Sequence, residues 1–137
     1  MKRNFLLVVL LLLLTTACSN STESWWVLEN DQISKSPEIQ AYVNQLQTDK
    51  KDYKGYKVFT IAKGKKAVVI SLGKEGKKLE LVEVHTSSKD TAITIEETEQ
   101  STDDANPYIV VGMDEIVGAF YVYAQQTEEY TGSGYYD

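Results

Sequence analysis

The chain has 137 residues, with 14 basic and 20 acidic side chains, one histidine and one cysteine, enough for one domain with a real core but not two. Its net charge of −6 argues against nucleic acid as a partner. The lone cysteine rules out an internal disulfide framework, and the lone histidine rules out a His-rich zinc site.

Lys2 and Arg3 precede an uninterrupted apolar run from Phe5 to Leu14, followed by Thr15-Thr16-Ala17-Cys18. Wound as a helix, that run covers about 15 Å, half of a ~30 Å hydrocarbon core. It is therefore read as a signal peptide over residues 1–17 and not as a membrane span. Leu14-Thr15-Thr16-Ala17-Cys18 resembles the lipobox of bacterial lipoproteins, with Thr15 where those chains usually carry leucine. The resemblance implies cleavage just before Cys18, diacylation of its thiol and a membrane anchor. The mature chain is then expected on the extracytoplasmic face of a bacterial cell membrane, of the Gram-positive type. Each buried methylene contributes ~0.8 kcal/mol, so two acyl chains hold durably. Residues 18–24 are read as lipidated cysteine and tether, 25–126 as a single β-rich domain and 127–137 as a flexible tail.

The first strand is expected at Trp25 to Glu29, its two tryptophans pointing to opposite faces, one into the core. A helix follows at about 37–48: Ser36 suits the N-cap, Pro37 the first helical position and Glu38 the N-terminal dipole. Ile39, Tyr42, Val43 and Leu46 fall at i, i+3, i+4 and i+7, one apolar stripe. From Tyr56 the period drops to two. Strands are read at 56–62, 67–72, 79–84, 91–97, 107–113 and 118–125, with turns at 62–67 and 73–78 joining consecutive hairpins. The segment 98–106 is polar and acidic and is read as a mobile loop. The expected fold class is α+β, mainly β: an antiparallel sandwich or partly closed barrel of about six to seven short strands with one amphipathic helix.

Lys66 to Gly73 (KAVVISLG), with the strands that follow and Asn106 to Glu115 (NPYIVVGMDE), resembles in layout the C-terminal domain family of the protease-complex accessory subunit PrcB. That resemblance spans residues 57–123 and implies a β-rich domain that partners an envelope protease. Lys74-Glu75-Gly76-Lys77 stands where the family carries a Thr-Gly-Gly-Tyr element.

Charge is segregated along the chain. Lys50 to Lys78 holds ten lysines against Asp52 and Glu75, whereas Lys89 alone faces thirteen acids from Leu79 onward. Lys63, Lys65 and Lys66 in one turn and Lys74, Lys77 and Lys78 in the next are the candidate contacts for an anionic partner, at opposite ends of the strand 67–72. Tyr121 and Tyr123 share one face of the last strand and form the candidate aromatic contact face. Glu96, Glu97, Glu99, Asp103 and Asp104 fit no calcium-loop spacing and read as solvated charge, so no metal and no cofactor is expected. His85 reads as a strand-end surface residue. No Gly-x-Ser-x-Gly and no phosphate-loop spacing occurs, and no carboxylate pair is singled out by context. The sequence therefore points to a non-enzymatic, lipid-anchored protein that binds a protein or an envelope polymer. The alternative is an accessory subunit of an envelope protease.

Overall fold

The computed structural model describes residues 24–124 and 128–133. The expected signal peptide, Cys18 and most of its tether therefore lie outside the described residues, as do 125–127 and 134–137 of the domain end and tail.

In chain order the elements are β1 (Trp25–Val27), α1 (Asn30–Ile33), α2 (Pro37–Gln47), β2 (Lys54–Thr60), a 3₁₀ turn (Ala62–Gly64), β3 (Lys66–Leu72), β4 (Lys77–Thr86), β5 (Asp90–Ser101), β6 (Tyr108–Met113), β7 (Ala119–Ala124), β8 (Glu128–Tyr130) and β9 (Gly132–Ser133). They form an α+β, mainly β sandwich of two sheets. One runs β1-β6-β3-β2-β9 and the other β4-β5-β7-β8.

The helix forms where the apolar stripe requires. Ile39, Tyr42, Val43 and Leu46 are its buried residues, with Pro37 at its start. Ser36 occupies the N-cap but contributes its carbonyl, which accepts from the Gln40 N–H at 3.0 Å, and no side-chain bond. The short α1 was not anticipated. Glu29 and Gln32 close a reciprocal capping box there, and Ile33 is buried. Both helices cover one face of the first sheet through Leu28, Ile33, Ile39, Tyr42, Val43, Leu46, Phe59, Ala67, Val69 and Val110. The other face of that sheet meets the second sheet through Val58, Val68, Ile70, Val111 and Met113 against Leu79, Ile93, Ile95, Phe120 and Val122. The first sheet is thus the middle of three layers. That position explains why β3 is buried without alternation from Ala67 to Leu72, and apolar throughout except Ser71. Trp25 and Trp26 do point to opposite faces, and each is partly buried on its own cluster.

Several expectations change. Of the two architectures expected, the two sheets realise the sandwich. Nine strand segments occur among the described residues instead of six or seven. β4 and β5 are long, at 10 and 12 residues. Residues 98–101 belong to β5 rather than to a loop, because pairing continues outward from the core to Lys77↔Ser101. Thr98 Oγ1 donates to the Lys78 carbonyl at 2.9 Å, and Glu97 Oε2 accepts from the Lys77 N–H at 2.7 Å. Not every pair is antiparallel. β5 and β7 run parallel, since the chain visits the other sheet as β6 between them, and β2 pairs with β9 in parallel. The 73–78 segment is likewise no hairpin turn. It carries the chain from the first sheet to the second, with Gly73 at φ +81° against Lys54. Within the expected tail, Glu128–Tyr130 pairs with β7 and buries Tyr130 to 4% exposure, because its register partner Val122 faces the core.

Asn106 locks one end of the sandwich. It is fully buried. Its Nδ2 donates to the Lys50 and Tyr53 carbonyls at 3.0 and 3.1 Å, and its Oδ1 accepts from the Gly73 N–H at 2.7 Å. Its own backbone exchanges two bonds with the Gln47 side chain.

Candidate functional site

The second sheet has one covered face and one open face. Along β5, Thr91, Ile93 and Ile95 are buried, so by alternation Asp90, Ala92, Thr94 and Glu96 point outward. On β7, Phe120 and Val122 are buried and Tyr121 and Tyr123 point outward. Register then sets these side chains in rows across the sheet. His85, Ala92 and Tyr121 make one row. Glu83, Thr94, Tyr123 and Glu129 make the next. Glu80 and Glu96 stand opposite each other in a third. Rows repeat about every 6.8 Å along the strands, and neighbouring strands lie about 4.8 Å apart.

A bulge between Leu81 and Glu83 places Val82, 44% exposed, beside Glu83. Tyr121 and Tyr123 stack with centroids 6.0 Å apart and ring planes at 19°, within the range of favourable aromatic pairs. The Tyr123 hydroxyl is pushed above its ordinary pKa by desolvation, then by the charges of Glu129, Tyr121 and Asp90. Glu96 is raised as well, first by a side-chain hydrogen bond with Glu80, then by desolvation and by repulsion from it. At the far end His85 Nε2 lies 4.0 Å from Asp90 Oδ1, which also accepts from Ser87 Oγ at 2.7 Å. The open face therefore couples a stacked tyrosine pair with Glu80, Glu83, Asp90, Glu96 and Glu129. Chemically it can hold cationic groups and pack against their stems.

The lysines do not join into one surface. Lys63 adopts a left-handed conformation, φ 63°, in the turn between β2 and β3. Lys65 in the same turn reaches Asp114 at 3.3 Å and lies 5.2 Å from the Trp26 ring centroid. Lys66 donates to Thr60 Oγ1 at 2.7 Å. Lys74 sits at the sheet-to-sheet crossing, beside a cavity of about 260 Å³ shared with Lys54, Glu97 and Glu128. Lys77 and Lys78 begin β4, and both are exposed. The two groups lie at opposite ends of β3, as the turn positions implied.

In the acidic stretch, Glu96 and Glu97 alternate across β5, while Asp103 and Asp104 line a separate surface pocket with Glu75 and Lys77. Among the described residues no group of three or more His, Cys, Asp or Glu side chains is arranged to hold a metal ion. No helix among them is long and apolar enough to cross a membrane.

The chain is similar to the uncharacterized protein YycS of Bacillus subtilis (strain 168), with 43% identity over 116 residues, covering 82% of this chain and 84% of that one. The chain belongs to the YycS family. No family model and no solved structure matches it.

For this YycS-family chain the tyrosine pair was legible from the alternation in the last strand. The carboxylates around it were not. Glu80 and Glu83 lie on opposite phases of the strand period, and only the bulge between them brings both to the open face.

Proposed function

We propose that the chain is a non-catalytic binding protein, lipid-anchored through Cys18 on the extracytoplasmic side of the cell membrane, that holds a partner on the open face of β4-β5-β7-β8. The carrying observation is the set of side-chain rows that put Tyr123 between Glu83 and Glu129, with Tyr121 stacked beside it in the His85 row, on the outward face of the sheet. A solvated sheet face needs no aromatic pair for stability, and exposed aromatics set among charges are a usual contact surface. The lysine turns are assigned to solubility and to internal pairing, with Lys65 held by Asp114 and Lys66 donating to Thr60.

The test is photocrosslinking in cells from a benzophenone amino acid at Val82, beside the face, with one at Lys63 as the control. Discrete adducts from position 82, absent from 63, are the expected result. Equal labelling from both positions, or none from 82, defeats the reading. A protease as the stoichiometric adduct would make the chain an accessory subunit. The anchor is tested separately. Cys18→Ala is expected to release the chain or leave it unprocessed, and normal cleavage with full membrane retention would contradict lipidation.

A further inference from the structure

We infer that the open face takes an extended polypeptide carrying Lys or Arg at alternate positions, laid lengthwise over β5. This rests on the reading that the open face is the contact surface, and it names the partner's chemistry.

The argument begins with side-chain size. Outward on β5 stand Ala92 and Thr94, which are small, and on either side of them stand larger groups. Tyr121 and Tyr123 form one wall, and His85 and Glu83 form the other. The result is a lane along β5 with an aromatic wall, a wall of His85 and Glu83, and Glu80 with Glu96 across its end. Its rows repeat every two residues, about 6.8 Å, which is the spacing of same-side residues in an extended peptide. A peptide in the lane therefore presents one side chain per row without bending.

Charge then selects the side chain. Glu83, Asp90 and the Glu80–Glu96 pair border the lane, Glu129 lies just beyond Tyr123, the His85 row holds no carboxylate, and none of these rows contains a lysine. The lysines that do form described ion pairs, Lys54 and Lys65, meet Glu128 and Asp114, which are not in these rows. An anionic or neutral occupant would desolvate Glu83 and Glu129 without offering either a counter-charge, which is costly. A basic side chain lays its stem on a tyrosine and its head on Glu83 or Glu129. A sugar polymer fits less well, because the two rings stack nearly parallel, at 19°, so each gives one face to the other.

The experiment uses the full-length protein in nanodiscs of zwitterionic phosphatidylcholine and reads fluorescence anisotropy at low salt. One labelled probe is a nine-residue peptide with arginine at alternate positions and Gly or Ser between. The second has the same composition with its arginines contiguous. A third is a deacetylated amino-sugar oligomer. The alternating peptide is expected to bind best. Glu83→Gln with Glu129→Gln should weaken it about fivefold, from two exposed ion pairs. Tyr123→Ser should weaken it about threefold, from one lost cation–ring contact. Equal binding of both peptides, or binding untouched by these variants, overturns the lane and leaves unspecific charge attraction. Binding of the amino-sugar oligomer alone overturns the peptide in favour of a polymer, and self-association lost in Glu83→Gln overturns it in favour of a second copy. If the peptides fail while position 82 still crosslinks in cells, the partner chemistry is wrong and the contact face stands. If both fail, the face itself is wrong.

Discussion

Replacing Asn106 with alanine removes three hydrogen bonds at once. Its amide joins the Lys50 and Tyr53 carbonyls that follow α2 to the Gly73 N–H at the crossing between sheets. Each such bond contributes a net ~1 kcal/mol, and a buried group left unpaired costs ~1–3 kcal/mol. The bonds between the Asn106 backbone and Gln47 survive the change, and Tyr53 keeps the Ser71 hydroxyl on its carbonyl at 2.8 Å. The expected loss for Asn106→Ala is therefore about 3 kcal/mol. Asn106→Asp has the same shape but turns an acceptor toward two carbonyls, so it should cost more at pH 7. Part of that loss should return at low pH, where the new carboxyl holds a proton it can donate. Urea unfolding of the full-length protein measures both, through a shift in midpoint at unchanged slope. A loss below about 1 kcal/mol for the alanine variant, or an aspartate variant as stable as wild type, would refute the assignment of Asn106 as the tie between these segments.

Three further outcomes follow from the same packing. A Cβ on Gly112 would lie 2.3 Å from Trp26 Cε2, so Gly112→Ala should displace the indole, cost about 1–3 kcal/mol and redden tryptophan emission; an unchanged spectrum would contradict that contact. Leu46→Ala empties a fully buried position between α2 and the first sheet and should cost about 2–5 kcal/mol in chemical unfolding, a smaller loss meaning that the helix repacks. Glu96 faces Glu80 across the ladder and shares a cavity rim with Lys74 and Glu128. Its carboxyl is raised in the fold, so it adds stability as pH falls through the folded value and loses it as pH rises. Glu96→Gln should therefore raise the thermal midpoint at pH 7 and flatten its pH dependence, and a lowered midpoint at pH 7 would show that the pair is favourable when charged.

What the sequence determined by itself is local. The stripe Ile39, Tyr42, Val43 and Leu46 specifies α2 because helical period and burial must agree over two turns. The alternations around Phe59, Ile93 and Tyr121 specify strands and, with them, which residues share a face. The opposed directions of Trp25 and Trp26 follow from the same period. Tertiary structure decided everything that depends on which strand lies beside which. That β3 and β4 occupy different sheets, that β5 and β7 run parallel, and that 98–101 extend a ladder are matters of non-local pairing, on which a local period is silent. Asn106 shows the same limit at a single residue. Within a polar stretch it reads as loop, and it becomes buried structure only when Lys50, Tyr53 and Gly73 converge on it from 33 to 56 residues away. The acidic lane is of this kind too. Its glutamates come from three strands, and one bulge, invisible to any periodicity, turns Glu80 and Glu83 to the same side.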